Sequence, residues 1–166
     1  MRRQPGFTMV EMMMVVLIIA ILSAFAVPSM KSMIRTQQVK TISFDIFASL
    51  SLARSEAIKR NINVTMTPLG GGWTAGWTVS DANGNLLRTQ EYSTATVSVT
   101  GPANVIYNSA GRLSAGAVPA PFVLSSNAID AAIRDDQERC VFLDLSGRPR
   151  TGYGKVGAPN NPGICP

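Results

Sequence analysis

Three observations on this 166-residue chain predict an α+β fold in which one long N-terminal helix lies against antiparallel β-sheet or sheets. Apolar residues run almost unbroken from Phe7 to Val27, and apolar positions then recur at three- and four-residue spacing as far as Ala57. From Ile62 onward the pattern changes to short segments punctuated by Gly, Pro, Asn and Ser. The length suits one compact domain with an appendage, and 46% hydrophobic against 15% charged residues is a globular composition. The sequence contains no histidine, which excludes His-based triads, zinc-hydrolase motifs and imidazole pH switches.

The first element is the apolar stretch. Between Phe7 and Val27 only Thr8, Glu11 and Ser23 are not apolar, and Met12 to Leu22 is a run of eleven apolar residues. As a helix such a stretch rises roughly 30 Å, enough to cross the hydrocarbon core of a bilayer. Arg2 and Arg3 precede it, so the positive-inside rule keeps this end cytoplasmic and exports the body of the chain. A cleaved secretory signal, with Ala24-Phe25-Ala26 as its site, is the other reading. Glu11 speaks against it, because a carboxylate inside an apolar run is expensive unless a partner neutralises it.

The second element is amphipathic. Met30, Met33, Ile34, Val39, Ile42, Ile46, Leu50, Ala53 and Ala57 form a stripe, with Lys31, Arg35, Lys40, Asp45, Arg54 and Lys59 largely between them. The pattern resumes within two residues of Pro28, so the proline is expected to kink the helix without ending it, and Asn61 is the first stop. The expected organisation is 1–6 as leader, 7–28 as apolar half-helix, 29–60 as amphipathic half-helix and 61–166 as a β-rich region. The methionine cluster, Met12 to Met14 with Met9, Met30 and Met33, is read as adaptable packing.

Strands are expected at 62–67, 73–79, 86–92, 94–100, 104–107, 122–125 and 139–145. A break at Pro68 to Gly72 and a strong turn at Asp81-Ala82-Asn83-Gly84-Asn85 fall among them. Gly111 to Pro121 reads as the loosest interior segment. Trp73 and Trp77 lie four apart and so face one side of a regular strand, as core anchors. Gly70-Gly71-Gly72 lacks the lysine and helix of a phosphate loop, and Asp135-Asp136-Gln137-Glu138 lacks the spacing of a calcium loop. No catalytic constellation, metal site or cofactor site is expected, and the chain is read as not an enzyme.

Cys140 and Cys165 are the only cysteines. Export permits a disulfide between them, which ties the Gly- and Pro-rich tail to the last core strand; two free thiols is the alternative. The charge is unevenly placed: residues 7–144 carry ten basic and ten acidic side chains, whereas 145–166 carry Arg148, Arg150 and Lys155 and no acid. Arg148 and Arg150 are separated by one residue, about 6 to 7 Å on an extended chain. Pro149 between them favours an edge strand or loop. Two exposed guanidinium groups at that spacing can each address a phosphate without reading sequence; solvated arginines in a tight turn is the plainer alternative.

Gly6-Phe7-Thr8-Met9-Val10-Glu11, after a basic leader and before an apolar helix, resembles the class III signal of type IV pilins and type II secretion pseudopilins. The resemblance implies cleavage by a prepilin peptidase between Gly6 and Phe7 and methylation of Phe7. It also implies that the Glu11 carboxylate meets the N-terminal ammonium of a neighbouring subunit during filament assembly. The whole chain is similar to the GspH/FimT family of minor pilins and pseudopilins, and Gly147-Arg148-Pro149-Arg150 matches the Gly-Arg-x-Arg pattern of its FimT-type members. That likeness implies a pilin-like fold and an inner-membrane anchor with an exported body before assembly. It further implies a place in a pilus among other pilins, and sequence-nonspecific binding of extracellular DNA for natural transformation through Gly147, Arg148, Arg150 and Lys155. A structural FimU-like subunit that primes or caps the filament, and a pseudopilin of a type II secretion system, share the N-terminal features and need neither arginine.

Overall fold

The computed structural model describes residues 6–93, 96–114, 120–126, 138–144 and 146–154, with the side chains of 25–29, 31 and 32 left aside. The chain divides into two compact units, Met1–Ile34 and Arg35–Pro166. One helix, α1 (Met9–Arg60), contributes to both. Eight strands follow: β1 (Val64–Leu69), β2 (Gly72–Asp81), β3 (Leu86–Glu91), β4 (Val97–Thr100), β5 (Val105–Tyr107), β6 (Phe122–Ser126), β7 (Arg139–Leu143) and β8 (Pro149–Tyr153).

Both ends of α1 are capped as the local sequence dictates. At the start, the Glu11 amide donates to Thr8 Oγ1 at 3.2 Å, the backbone half of a capping box. Helical structure runs through Pro28. At the end, Asn61 adopts a left-handed φ of 55°, and the amides of Asn61 and Ile62 donate to the carbonyls of Ile58 and Ala57 at 3.4 and 3.3 Å. Asparagine tolerates that conformation and serves where glycine more often does.

In the first unit the apolar side chains from Met9 to Leu22 are exposed on the single chain. Among the described residues no helix is long and apolar enough to cross a membrane.

The second unit holds the core. Val39, Ile42, Ile46, Leu50, Ala53 and Ala57 are buried at three- and four-residue steps. The packed stripe therefore starts at Val39. Met30, Met33 and Ile34, expected to belong to it, are exposed because they precede Arg35, where the sheet-bearing unit begins.

The strands form two four-stranded sheets, β3-β2-β1-β5 and β4-β6-β7-β8. β1 continues through Pro68 to Leu69, past the expected break, because β5 pairs only with Val64 to Met66 and demands no amide from Pro68. The two sheets meet at Trp73, whose ring packs edge-on against Phe122 with centroids 4.7 Å apart. Thr74 Oγ1 accepts from the Val99 amide at 3.0 Å, joining β2 to β4. Trp73 and Trp77 do lie together, 6.4 Å apart, and both are buried. Each indole N–H is satisfied, Trp73 by the Pro102 carbonyl at 2.7 Å and Trp77 by Ser49 Oγ at 2.9 Å.

Three turns share one build. In Asp81-Ala82-Asn83-Gly84-Asn85, Asn108-Ser109-Ala110-Gly111-Arg112 and the segment from Asp144 to Arg148, the first side chain's Oδ1 accepts from the amides two and four residues on at 2.8–3.0 Å. The fourth residue is a glycine at φ of 85°, 69° and 78° respectively. The amide of each first residue donates to the carbonyl of its fifth at 2.9–3.1 Å. Each is a hydrogen-bonded turn closed by a left-handed glycine, whose amide donates to the carbonyl of the first residue at 2.8–3.0 Å, a geometry that suits the twist of the flanking strands.

Candidate nucleic-acid interface

The third of these turns carries the expected basic site. Asp144 ends β7's run, and the chain reverses through Gly147 into β8, the edge strand of its sheet, where Phe142 faces Arg150 and Leu143 faces Pro149. The expected strand at 139–145 thus ends at Leu143, because Asp144 is committed to the turn. Asp144 Oδ1 also accepts from Ser146 Oγ at 2.6 Å. That hydroxyl, helped by the Arg148 amide, holds the Asp144 carboxyl below the usual carboxylate range.

Gly147 is buried, and a Cβ on it would lie 2.8 Å from the Gly111 carbonyl oxygen and 3.3 Å from Arg112 Cα. The two Gly-Arg turns therefore pack backbone against backbone. The Tyr107 ring lies under them, 3.2 Å from the same point, and its buried hydroxyl has no hydrogen-bond partner among the described residues. From α1, Arg54 Nε donates to the Gly111 carbonyl at 2.8 Å and fixes the neighbouring turn to the helix.

Arg148 and Arg150 are both exposed. Arg150 Nε lies 3.8 Å from Asp144 Oδ2, a solvent-exposed ion pair and so a weak one. Arg148 makes no ion pair among the described residues; its amide and carbonyl close the turn while its guanidinium stays open to solvent. Tyr153, on the same strand, is exposed and faces Arg139 across the ladder. Lys155 and Cys165 lie outside the described residues. Cys140 is fully buried on β7 and is not a free thiol.

At the other end of the chain, Gly6 has open space around it and Phe7 is 78% exposed, so the Gly6–Phe7 bond is sterically accessible. Glu11 sits in the first turn of α1 and is exposed in the single chain. Among the described residues its carboxylate forms no ion pair.

Residues 45–147 match the family described as type II transport protein GspH, and residues 1–27 match the prokaryotic N-terminal methylation motif. The chain belongs to the GspH family. Two crystal structures of the type IV minor pilin FimU from Pseudomonas aeruginosa PAO1 share the fold, with TM-scores of 0.57 and 0.54 and 20% sequence identity in each. They cover 69% and 68% of this chain and 87% and 90% of their own. No curated protein matches it. This GspH-family chain thus combines an N-terminal methylation motif with a body that shares the fold of a type IV minor pilin.

Gly147 and both arginines of the pair lie together on the turn and the strand that follows it. Arg112 and Asp144 escaped the sequence reading, which assigned Gly111 to a loose segment. The available signal was the recurrence of an Asx residue three places before a glycine, in three separate turns.

Proposed function

We propose that this protein is a FimT-like minor pilin that binds extracellular DNA through the turn and edge strand around Arg148 and Arg150, as a step in DNA uptake for natural transformation. The observation that carries the reading is two exposed arginines, separated by one residue, on a hydrogen-bonded turn and the edge strand that follows it. Such a surface contacts phosphates and leaves the bases unread, so binding should be indifferent to sequence and steeply dependent on salt. Three or so positive charges give a weak module; several copies along a filament would raise the avidity.

Under this reading the apolar half of α1 anchors the precursor in the inner membrane with the body exported. Prepilin peptidase then cuts between Gly6 and Phe7, and Phe7 is methylated. Glu11 pairs with a neighbour's N-terminal ammonium as subunits stack, which removes the cost of burying either charge alone. A Cys140–Cys165 disulfide ties the tail to β7, and Lys155 in that tail adds to the basic surface.

A structural role is the second reading. The fold likeness to the type IV minor pilin FimU favours a structural subunit of a pilus, under this reading one that primes or caps it, and the match to type II transport protein GspH favours a type II secretion pseudopilin. Titration of labelled DNA with the full chain in neutral detergent, at rising salt, separates the readings. Loss of binding in the Arg148→Gln/Arg150→Gln double variant supports the DNA reading, whereas equal binding by parent and variant favours the structural one.

A further inference from the structure

The turn that carries Arg148 has a near-copy beside it, and the copy also ends in an arginine. Asn108-Ser109-Ala110-Gly111-Arg112 repeats its hydrogen bonds and its left-handed glycine. The two turns touch at Gly147 and Gly111 with no side chain between them, which brings the Cα atoms of Arg112 and Arg148 within about 9 Å of each other. Both side chains are exposed, and among the described residues neither forms an ion pair. We infer that Arg112 is a further phosphate-contacting residue and that a nucleic-acid backbone lies across both Gly-Arg turns; this rests on the DNA reading above.

The geometry fits a polyanion better than a single anion. Phosphates on one strand of a duplex recur about every 3.4 Å of axis, so guanidinium groups on flexible stems whose roots lie this close can reach adjacent or next-adjacent phosphates. Arg150, on the far side of Arg148 in sequence, extends the row. The row is not electrically uniform. Asp144 stands 3.8 Å from Arg150 and partly cancels it, while the matching position beside Arg112 is the neutral Asn108. Arg112 thus offers a charge with less local opposition than Arg150 has. The third turn of the same build is a contrast: it ends in Asn85, and its aspartate is engaged by Arg60 Nη1 at 3.3 Å.

Arg112 holds its turn through main-chain atoms, its amide donating to Asn108 Oδ1 and its carbonyl accepting from the Asn108 amide. A side-chain change there leaves those bonds in place. The test uses the full chain in neutral detergent micelles and fluorescence anisotropy of a labelled random-sequence duplex, between about 50 and 200 mM salt. Arg112→Gln should weaken binding roughly three- to tenfold and lower the slope of log K against log salt by about one, with the melting temperature of the parent. Arg112→Lys should keep the slope. If Arg112→Gln binds like the parent while Arg148→Gln/Arg150→Gln loses binding, the inference is overturned and the DNA reading stands. If the parent does not bind, or if it and all variants bind equally, the DNA reading fails and this inference falls with it.

Discussion

Replacing Gly147 by alanine should destabilise the sheet-bearing unit far more than the same change at Gly84. Both glycines occupy the fourth position of turns of the same build, at φ of 78° and 85°. Alanine in a left-handed conformation costs about 1 to 2 kcal/mol at either site. At Gly84 nothing lies within 4 Å of the added Cβ, so that is the whole penalty. At Gly147 the Cβ meets the Gly111 carbonyl oxygen at 2.8 Å and Arg112 Cα at 3.3 Å, backbone atoms that cannot rotate away. Overpacking of that kind adds about 1 to 3 kcal/mol. With a shift of about 3 to 5 °C per kcal/mol for a unit of this size, Gly147→Ala should melt about 6 to 25 °C below the parent and Gly84→Ala about 3 to 10 °C below. Near-ultraviolet circular dichroism of Trp73 and Trp77 reports the transition, since both are buried in the core. Equal melting temperatures for the two variants would refute the backbone packing of the twin turns.

Asp144→Asn keeps the Oδ1 acceptor that builds the turn, as Asn108 does in its neighbour, and removes the negative charge beside Arg150; DNA affinity should rise about two- to threefold, read by anisotropy at low salt. Ser49→Ala leaves the buried Trp77 N–H without its acceptor and should cost about 1 to 3 kcal/mol, whereas adding Trp77→Phe should remove that part of the loss in a double-mutant cycle. The carboxyls of Glu56, Asp81 and Asp144 are all held below their ordinary range, Glu56 chiefly by Arg60, Asp81 by Asn85 and Asp144 by Ser146. Depressed folded-state values mean that their stabilisation is complete above the unfolded range near 4 and fades as pH falls through the folded values. Thermal melts should therefore be flat from pH 7 to about 5 and drop below about 4, and a drop between 7 and 5 would count against this, since there is no histidine to titrate there. Burial pushes the Tyr92 and Tyr107 phenols up, so their stabilisation is present below about pH 10 and is lost as pH rises further. Absorbance titration should find these phenols ionising only as the fold opens.

Much of the fold was legible because two periodicities meet in one chain. The stripe from Val39 to Ala57 and the alternation in Val64 to Thr67 are physical consequences of how helices and strands expose their faces. Asn61 was legible as a stop for the same reason it ends the helix, its tolerance of left-handed backbone. The outer limits of the stripe were not legible. Met30 and Met33 have the right spacing, but spacing does not say what lies opposite, and the sheet-bearing unit begins after them. Pro68 read as a break because a proline cannot serve two neighbours in a sheet; it has only one here, which depends on where β5 stops. The arginine pair was visible as a charge without acids in the last 22 residues. Arg112 was not visible, since its closeness to Arg148 arises from contact between two turns far apart in sequence.

The filament-borne roles proposed for this chain rest on two covalent events at its N terminus, cleavage after Gly6 and methylation of Phe7. Mass spectrometry of the protein isolated from its native membrane should show a chain that starts at Phe7 and carries a methyl group on that residue's nitrogen. A chain starting at Val27, or one that still bears Met1 to Gly6 in cells with active prepilin peptidase, would contradict them.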